Sequence, residues 1–224
     1  MAIIKNIYKN SPFYNIIKKG DNLIAINDNE IKDLLDYMYF SSESKVKLTI
    51  QRNGNNLNYE ELITDNEIGF EFEDYLMDNE RHCSNKCIFC FIDQLPKGMR
   101  NTLYYKDDDF RLSLLYGNYV TLTNLSDNDI ERIIKLKISP LNFSVHTTDP
   151  DLRVKMMGNP KAGRIFELLK RFAEAKINMR CQIVLCKGIN DGFNLEKTMA
   201  DLKSLQPYIS SVSIVPVGLT KFRE

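Results

Sequence analysis

The stretch RHCSNKCIFCFID, residues 81–93, places three cysteines within eight residues and crowds apolar side chains among and after them. Three thiols are one short of a closed tetrahedral metal site and one too many for a single disulfide. Four chemistries compete for Cys83, Cys87 and Cys90: a disulfide, a thioredoxin-like pair at Cys87 and Cys90, structural zinc, and an iron–sulfur cluster. The chain's five cysteines cannot all pair, and a redox pair leaves the third thiol unexplained. Zinc needs a distant fourth ligand, because His82 is adjacent to Cys83 and chelates poorly with it. Cys181 and Cys186, five apart on a strand pattern, face opposite ways, so at most one could join the site; they read as buried thiols. A four-iron cluster normally takes four thiolates, so three would leave one iron open to something other than protein.

The rest of the composition narrows the setting. At 224 residues the chain has material for one large domain or two small ones. Thirty basic residues balance thirty acidic ones, so no overall field draws nucleic acid or an anionic membrane. No apolar run approaches a membrane span, and MAIIKNIYKN lacks the apolar core of a secretion signal. The expectation is a cytoplasmic protein, where clustered cysteines more often mean metal or redox chemistry than structural bridges.

Upstream of the cluster, residues 1–64 read as a small strand-rich module. AIIKNIY is an opening strand, Ser11-Pro12 and Gly20-Asp21 make turns, and Asn22–Ile26 is a strand ended by Asn27-Asp28-Asn29. KDLLDYMYF has helical spacing, and KVKLTIQRNGNNLNYEELI reads as a hairpin with 52–56 at its tip. Residues 65–80 are acidic, with an alternating patch at Ile68, Phe70 and Phe72, and read as a connection into the first strand of the next domain.

Downstream, strand and helix patterns alternate, which predicts βαβ units and a parallel sheet or barrel. The strands are expected at Tyr119–Thr123, Leu141–His146, Met179–Cys186 and Ser211–Val217, the helices at Asp127–Lys137, Lys161–Ala175 and Asn194–Leu205. One face of these strands is polar or small: Thr121 and Thr123; Asn142, Ser144 and His146; Arg180 and Gln182; Ser211 and Ser213. Strands buried on both faces read as continuous apolar runs, so this pattern suggests a curved sheet with a wet or ligand-filled concave side. In KDDDFRLSLLYG, Asp107 or Asp108 is expected to cap a helix that Gly117 ends, rather than to bind metal. LPKGMR is a basic loop beside the cysteines.

Two resemblances rest on these residues. SPFYNIIKKGDNLIAIN resembles the core of the PDZ fold, which implies a peptide or protein partner; the glycine loop that captures a carboxylate is not found, which leaves strand addition to an edge. Cys83-x3-Cys87-x2-Cys90, with Phe89 before the last cysteine, resembles the signature of radical S-adenosylmethionine enzymes. That resemblance implies a 4Fe–4S cluster on Cys83, Cys87 and Cys90, S-adenosylmethionine on the open iron, a low-potential electron donor, and cleavage to a 5′-deoxyadenosyl radical that takes hydrogen from a substrate. It also implies that Phe89, Thr123, Asn124, Ser144 and His146 contact the cofactor, and it sets CKGINDG near the adenine. His146 has a second reading, as a hydrogen-bonded interior histidine.

Together with CIFCFIDQLPKGMR, YYKDDDFRLS, YGNYVTLTNL and IVPVGLTKFRE, these features are similar to a bacterial family with a PDZ-like module before a radical S-adenosylmethionine domain. The expected architecture is α/β: a PDZ-like domain at 1–64, a connection at 65–80, and a partial TIM-like (β/α) barrel at 81–224. Family members continue past the point where this sequence ends, so the barrel is expected to be incomplete at its carboxyl end. The rival reading is a PDZ-like adaptor with a structural metal or an electron-carrying iron–sulfur site and no radical catalysis.

Overall fold

A computed structural model describes residues 1–63 and 68–222. The end of the expected first module at 64, the start of the connection at 65–67, and the last two residues of IVPVGLTKFRE lie outside them. The chain divides into two units, Met1–Glu80 and Arg81–Glu224.

The first unit is built on an antiparallel sheet of β1 (Ala2–Ile7), β2 (Asn22–Ile26), β4 (Lys45–Arg52), β5 (Asn55–Leu62) and β6 (Phe70–Phe72), in the order β5-β4-β2-β1-β6. The short β3 (Asn29–Glu30) pairs with β2. Asn53 and Gly54 both adopt positive φ, +52° and +81°, as a two-residue hairpin turn demands. Helix α1 (Leu34–Phe40) starts at Asp33, whose carboxylate accepts from the Leu35 and Asp36 amides. Alternation along β4 buries Val46, Leu48 and Ile50 against Ile4, Phe13, Leu23 and Ile26. At the far end of β4, Arg52 grips the buried Asp21 through two bonds, 2.7 Å and 2.6 Å. The Phe70–Phe72 stretch does not open the next unit: it pairs antiparallel with β1, because both its aromatic side chains fill this core.

The second unit carries, among the described residues, a parallel sheet in the order β7-β8-β9: β7 (Leu141–Ser144), β8 (Met179–Leu185) and β9 (Ile209–Pro216). Helices α4 (Pro150–Met157) and α5 (Ile165–Glu174) connect β7 to β8, and α6 (Gly192–Lys203) connects β8 to β9. Ile165, Leu168, Leu169 and Phe172 fall at i, i+3, i+4 and i+7, so one stripe of α5 is buried, with Phe172 stacked on Phe143 of β7 at 5.5 Å. Before the sheet lie α2 (Phe110–Tyr116) and α3 (Asp127–Lys135), the latter begun by a Ser126/Asp129 capping box. No helix of the described residues is long and apolar enough to cross a membrane.

The expected strand at Tyr119–Thr123 reduces to one bridging residue, Val120, paired in parallel with Phe143. Thr121 is diverted from a ladder at both backbone groups: its N–H donates to Asp108 and its carbonyl accepts from Arg153. Leu122 then turns the chain with φ +64°. β7 likewise stops at Ser144, and His146 takes φ +64°, so strand alternation does not carry as far as the histidine. The polar face expected along the strands is mixed, with Asn142 and Ser144 buried but Arg180 and Ser211 exposed. Asp109, not Asp107 or Asp108, caps α2: its carboxylate accepts from the Arg111 amide and twice from the Arg111 guanidinium, and Gly117 closes the helix at φ +77°.

Candidate functional site

Residues 83–91 form a loop without regular structure, held mainly by backbone. The Cys83 amide donates to the Lys106 carbonyl at 2.9 Å, and the Lys86 and Ile88 amides donate to the Met157 and Met156 carbonyls at 2.8 Å. The loop therefore docks on the last carbonyls of α4, which a helix leaves without intrahelical partners. Gly158 makes this approach possible: a Cβ there would lie 3.0 Å from the Lys86 carbonyl oxygen, and its φ of +58° suits glycine. Cys90 closes a turn onto Cys87, its amide donating to the Cys87 carbonyl.

Cys83, Cys87 and Cys90 are all half-buried and unbridged. Burial, with Cys83 and Cys90 beside it, pushes the Cys87 thiol up to about 12. Cys87 thus senses both neighbouring sulfurs, and a cation close by would favour its thiolate. Thiolate is the donor that iron–sulfur clusters take, and the loop supplies three. The donor set fits such a cluster. Among the described residues, no group of three or more His, Cys, Asp and Glu side chains stands ready to hold a metal ion, so the fit rests on donor chemistry and not on a preformed cage. Cys181 and Cys186 are buried away from solvent.

A network of polar side chains underlies the loop. Asn85, 3% exposed, donates to the Cys83 sulfur at 3.2 Å and to the Thr121 hydroxyl at 3.0 Å, and accepts from Thr123 and Asn159. The Thr121 hydroxyl in turn donates to Asp108 at 2.5 Å. Arg153, 1% exposed, lies beneath: its guanidinium donates to the carbonyls of Thr121, Ser144, Val145 and Ala162. Burial lowers its pKa to about 9. The three aspartates of KDDDF have separate partners, Asp107 accepting from Asn118, Asp108 from Thr121 and Asp109 from Arg111.

The other expected contacts distribute around this network. Phe89 places its ring 4.4 Å from that of His146. The Val184 amide donates to His146 Nδ1 at 3.2 Å, which puts the imidazole proton on Nε2. Thr123 is buried on Asn85, and the Asn124 amide group donates to the Asp108 carbonyl at 2.8 Å. Ser144 is buried, its carbonyl taken by Arg153. In CKGINDG, Asn190 ties the turn together: it accepts from the Cys186 amide and donates to the His146 and Val184 carbonyls. Residues beyond β9 return to the cysteine loop, where the fully buried Gln94 amide donates to the Gly218 carbonyl at 3.0 Å and accepts from the Thr220 amide at 3.0 Å. LPKGMR is braced by Tyr104, whose hydroxyl binds the Pro96 carbonyl and accepts from the Met99 amide.

Sequence reasoning passed over Asn85, Asp108, Arg153, Asn159 and Gln94 as parts of this region. The one available signal was that Asn85 lies inside the cysteine spacing.

Two buried groups titrate with opposite sign. Burial, with the Arg153 charge, holds His146 down at about 3, well below the ordinary 6.5 of an imidazole, and burial pushes Asp108 up to about 6 from the ordinary 3.8. His146 contributes stability that is complete above its unfolded pKa and is lost as pH falls toward 3. Asp108 contributes stability that is complete below its unfolded pKa and is lost as pH rises through 6. Between pH 4 and 6 the two slopes oppose each other. His146→Asn, a residue that tolerates positive φ, should unmask the Asp108 slope. The metal-free variant is expected to gain about 1–2 kcal/mol of urea resistance between pH 6 and 4.5. A variant that loses stability over that interval would contradict the assignment.

With the geometry in place, comparison with known proteins gives two results. No curated protein matches the chain. The profile of the radical SAM-like domain matches residues 63–212, about two thirds of the sequence and the whole region from the cysteine loop into β9. The chain belongs to the radical SAM-like domain family.

Proposed function

We propose that this protein is a radical S-adenosylmethionine enzyme, and the observation that carries the reading is the three half-buried thiols of one backbone-anchored loop inside the family-matched region. Cys83, Cys87 and Cys90 would hold a 4Fe–4S cluster with S-adenosylmethionine at its open iron. When bound, that pair supplies reductive cleavage of the S–C5′ bond, for hydrogen abstraction from a substrate.

The chain's own residues position and shield. The α4 carbonyls fix the height of the loop through the Lys86 and Ile88 amides, so the backbone that carries the three cysteines is held on one support. Phe89 and His146 form a ring wall beside Cys90 that limits water. His146, neutral and protonated on Nε2, is a hydrogen-bond donor suited to a cofactor carboxylate. Asn124 spends its N–H groups on backbone carbonyls, which leaves its side-chain oxygen as the acceptor for an ammonium group. Thr123 and Ser144 complete the proposed cofactor contacts.

The wider reading keeps a PDZ-like module, whose sheet takes in β6 beyond the expected boundary at 64, followed by a barrel-type core at 81–224. The module would take a peptide or protein segment by strand addition, and a low-potential donor in the cytoplasm would supply the electron. Protein reconstituted without oxygen should bind about four irons and, once reduced, release 5′-deoxyadenosine from S-adenosylmethionine. A cluster-loaded protein that cleaves no S-adenosylmethionine would overturn this reading.

A further inference from the structure

We infer that Asn85 is a positioning residue that sets the reduction potential of the cluster through a side-chain N–H···S bond to Cys83, and that Asn159 fixes the polarity of that bond; the inference rests on the reading under Proposed function. An Asn side chain offers an oxygen and an NH2 of nearly the same shape, so its direction must be decided by its neighbours. Here the decision starts at a group that cannot turn over. The backbone N–H of Lys161 donates to Asn159 Oδ1 at 3.0 Å. The NH2 of Asn159 is thereby aimed at Asn85, 2.8 Å from Oδ1. Thr123 donates to the same oxygen at 3.0 Å. With Oδ1 held by two donors, the Asn85 NH2 must face the other way, onto Cys83 Sγ at 3.2 Å and the Thr121 hydroxyl at 3.0 Å.

The opposite end of the network agrees. Asp108 accepts from the Thr121 backbone amide at one oxygen and from the Thr121 hydroxyl at the other. That leaves the Thr121 oxygen as an acceptor for Asn85. The chain runs one way, from a backbone amide to a carboxylate, with the sulfur on its middle member. Asn85 is 3% exposed and Asn159 9%, so water competes poorly for these bonds.

A fixed dipole pointing its positive end at a ligand sulfur stabilises the more negative, reduced state of a cluster and so raises its potential. Charge-neutral Asn85→Leu should lower the equilibrium constant for one-electron reduction by about tenfold, about 59 mV. Because Asn85→Leu buries no donor for its neighbours and could fail to fold, a second variant acts from a distance. Asn159→Asp keeps the acceptor for Lys161 but removes the NH2, which invites the Asn85 amide to reverse and present oxygen to the sulfur. Lys161→Glu is the charge control: it adds more negative charge to the same turn without altering the network.

The measurement is spectroelectrochemical titration of anaerobically reconstituted protein, with iron content determined alongside. Lower midpoints in Asn159→Asp, and in Asn85→Leu where it folds, at undiminished iron content and with Lys161→Glu near wild type, support the inference. Cluster-loaded Asn159→Asp with the wild-type midpoint, or Lys161→Glu shifted as far as Asn159→Asp, overturns it while leaving the parent reading intact. Wild-type protein that takes up no cluster overturns both.

Discussion

Replacing Cys83, Cys87 or Cys90 singly by Ala should leave a folded protein whose affinity for reconstituted iron falls by at least 10–100-fold and which releases no 5′-deoxyadenosine. The fold should survive because the loop is held through main-chain atoms: the bonds from Cys83, Lys86, Ile88 and Cys90 are all made by backbone amides. None of the three side chains belongs to the buried apolar core. Removing Cys83 or Cys90 also relieves Cys87, whose thiol their proximity helps to raise. Cys181→Ala is the matched control. Cys181 is fully buried in β8, so its loss should cost about 1 kcal/mol or more of stability with iron content unchanged. Iron analysis of the four variants after anaerobic reconstitution checks the set. Full iron uptake by any of the three loop variants would remove that cysteine from the proposed site.

Arg153→Met should prevent cooperative folding of the second unit. The guanidinium is buried and donates to four backbone carbonyls from three different places: Thr121, Ser144 and Val145 at the end of β7, and Ala162 before α5. Met fills much of the volume but takes a donor from Thr121, Ser144 and Ala162, at about 1–3 kcal/mol each, while Val145 keeps the Thr147 amide. The sum overlaps the 5–15 kcal/mol that typically separates folded from unfolded domains. Arg153→Lys should rescue little, because three donors on one nitrogen cannot span positions set for a planar fork. Thermal melts by circular dichroism would test this. A methionine variant melting within a few degrees of wild type would show that the four bonds carry little net energy.

The parts of the second unit that sequence reveals are those whose determinants are local. The stripe Ile165, Leu168, Leu169 and Phe172 makes α5 visible, and short apolar runs make β7, β8 and β9 visible. The cysteine spacing needs no structure to be noticed. What sequence hides is the network beneath the loop, whose partners lie far apart: Asn85 meets Thr121 across 36 positions and Asn159 across 74. Periodicity assumes that charge faces water, so an inward Arg153 blurs the stripe on α4. The missing strand at Tyr119–Thr123 has the same cause. Its residues suit a strand, yet Asp108 and Arg153 take both backbone groups of Thr121. In the first unit, the Phe70–Phe72 alternation was legible but its partner was not, because pairing with β1 spans more than sixty residues.

The tie between Gln94 and the stretch after β9 has a consequence in time. Gly218 stands 124 positions after Gln94 in the chain. At ribosomal rates of about 5–20 residues per second, the clamp on the cysteine loop is synthesised roughly 6–25 s after the residue it secures. Throughout that interval the nascent loop already carries all three of its thiols, while Gln94 lacks its final partners. Loading of the proposed cluster and loop closure would therefore be separable events during biogenesis, their order a kinetic property of the cell rather than of the finished fold.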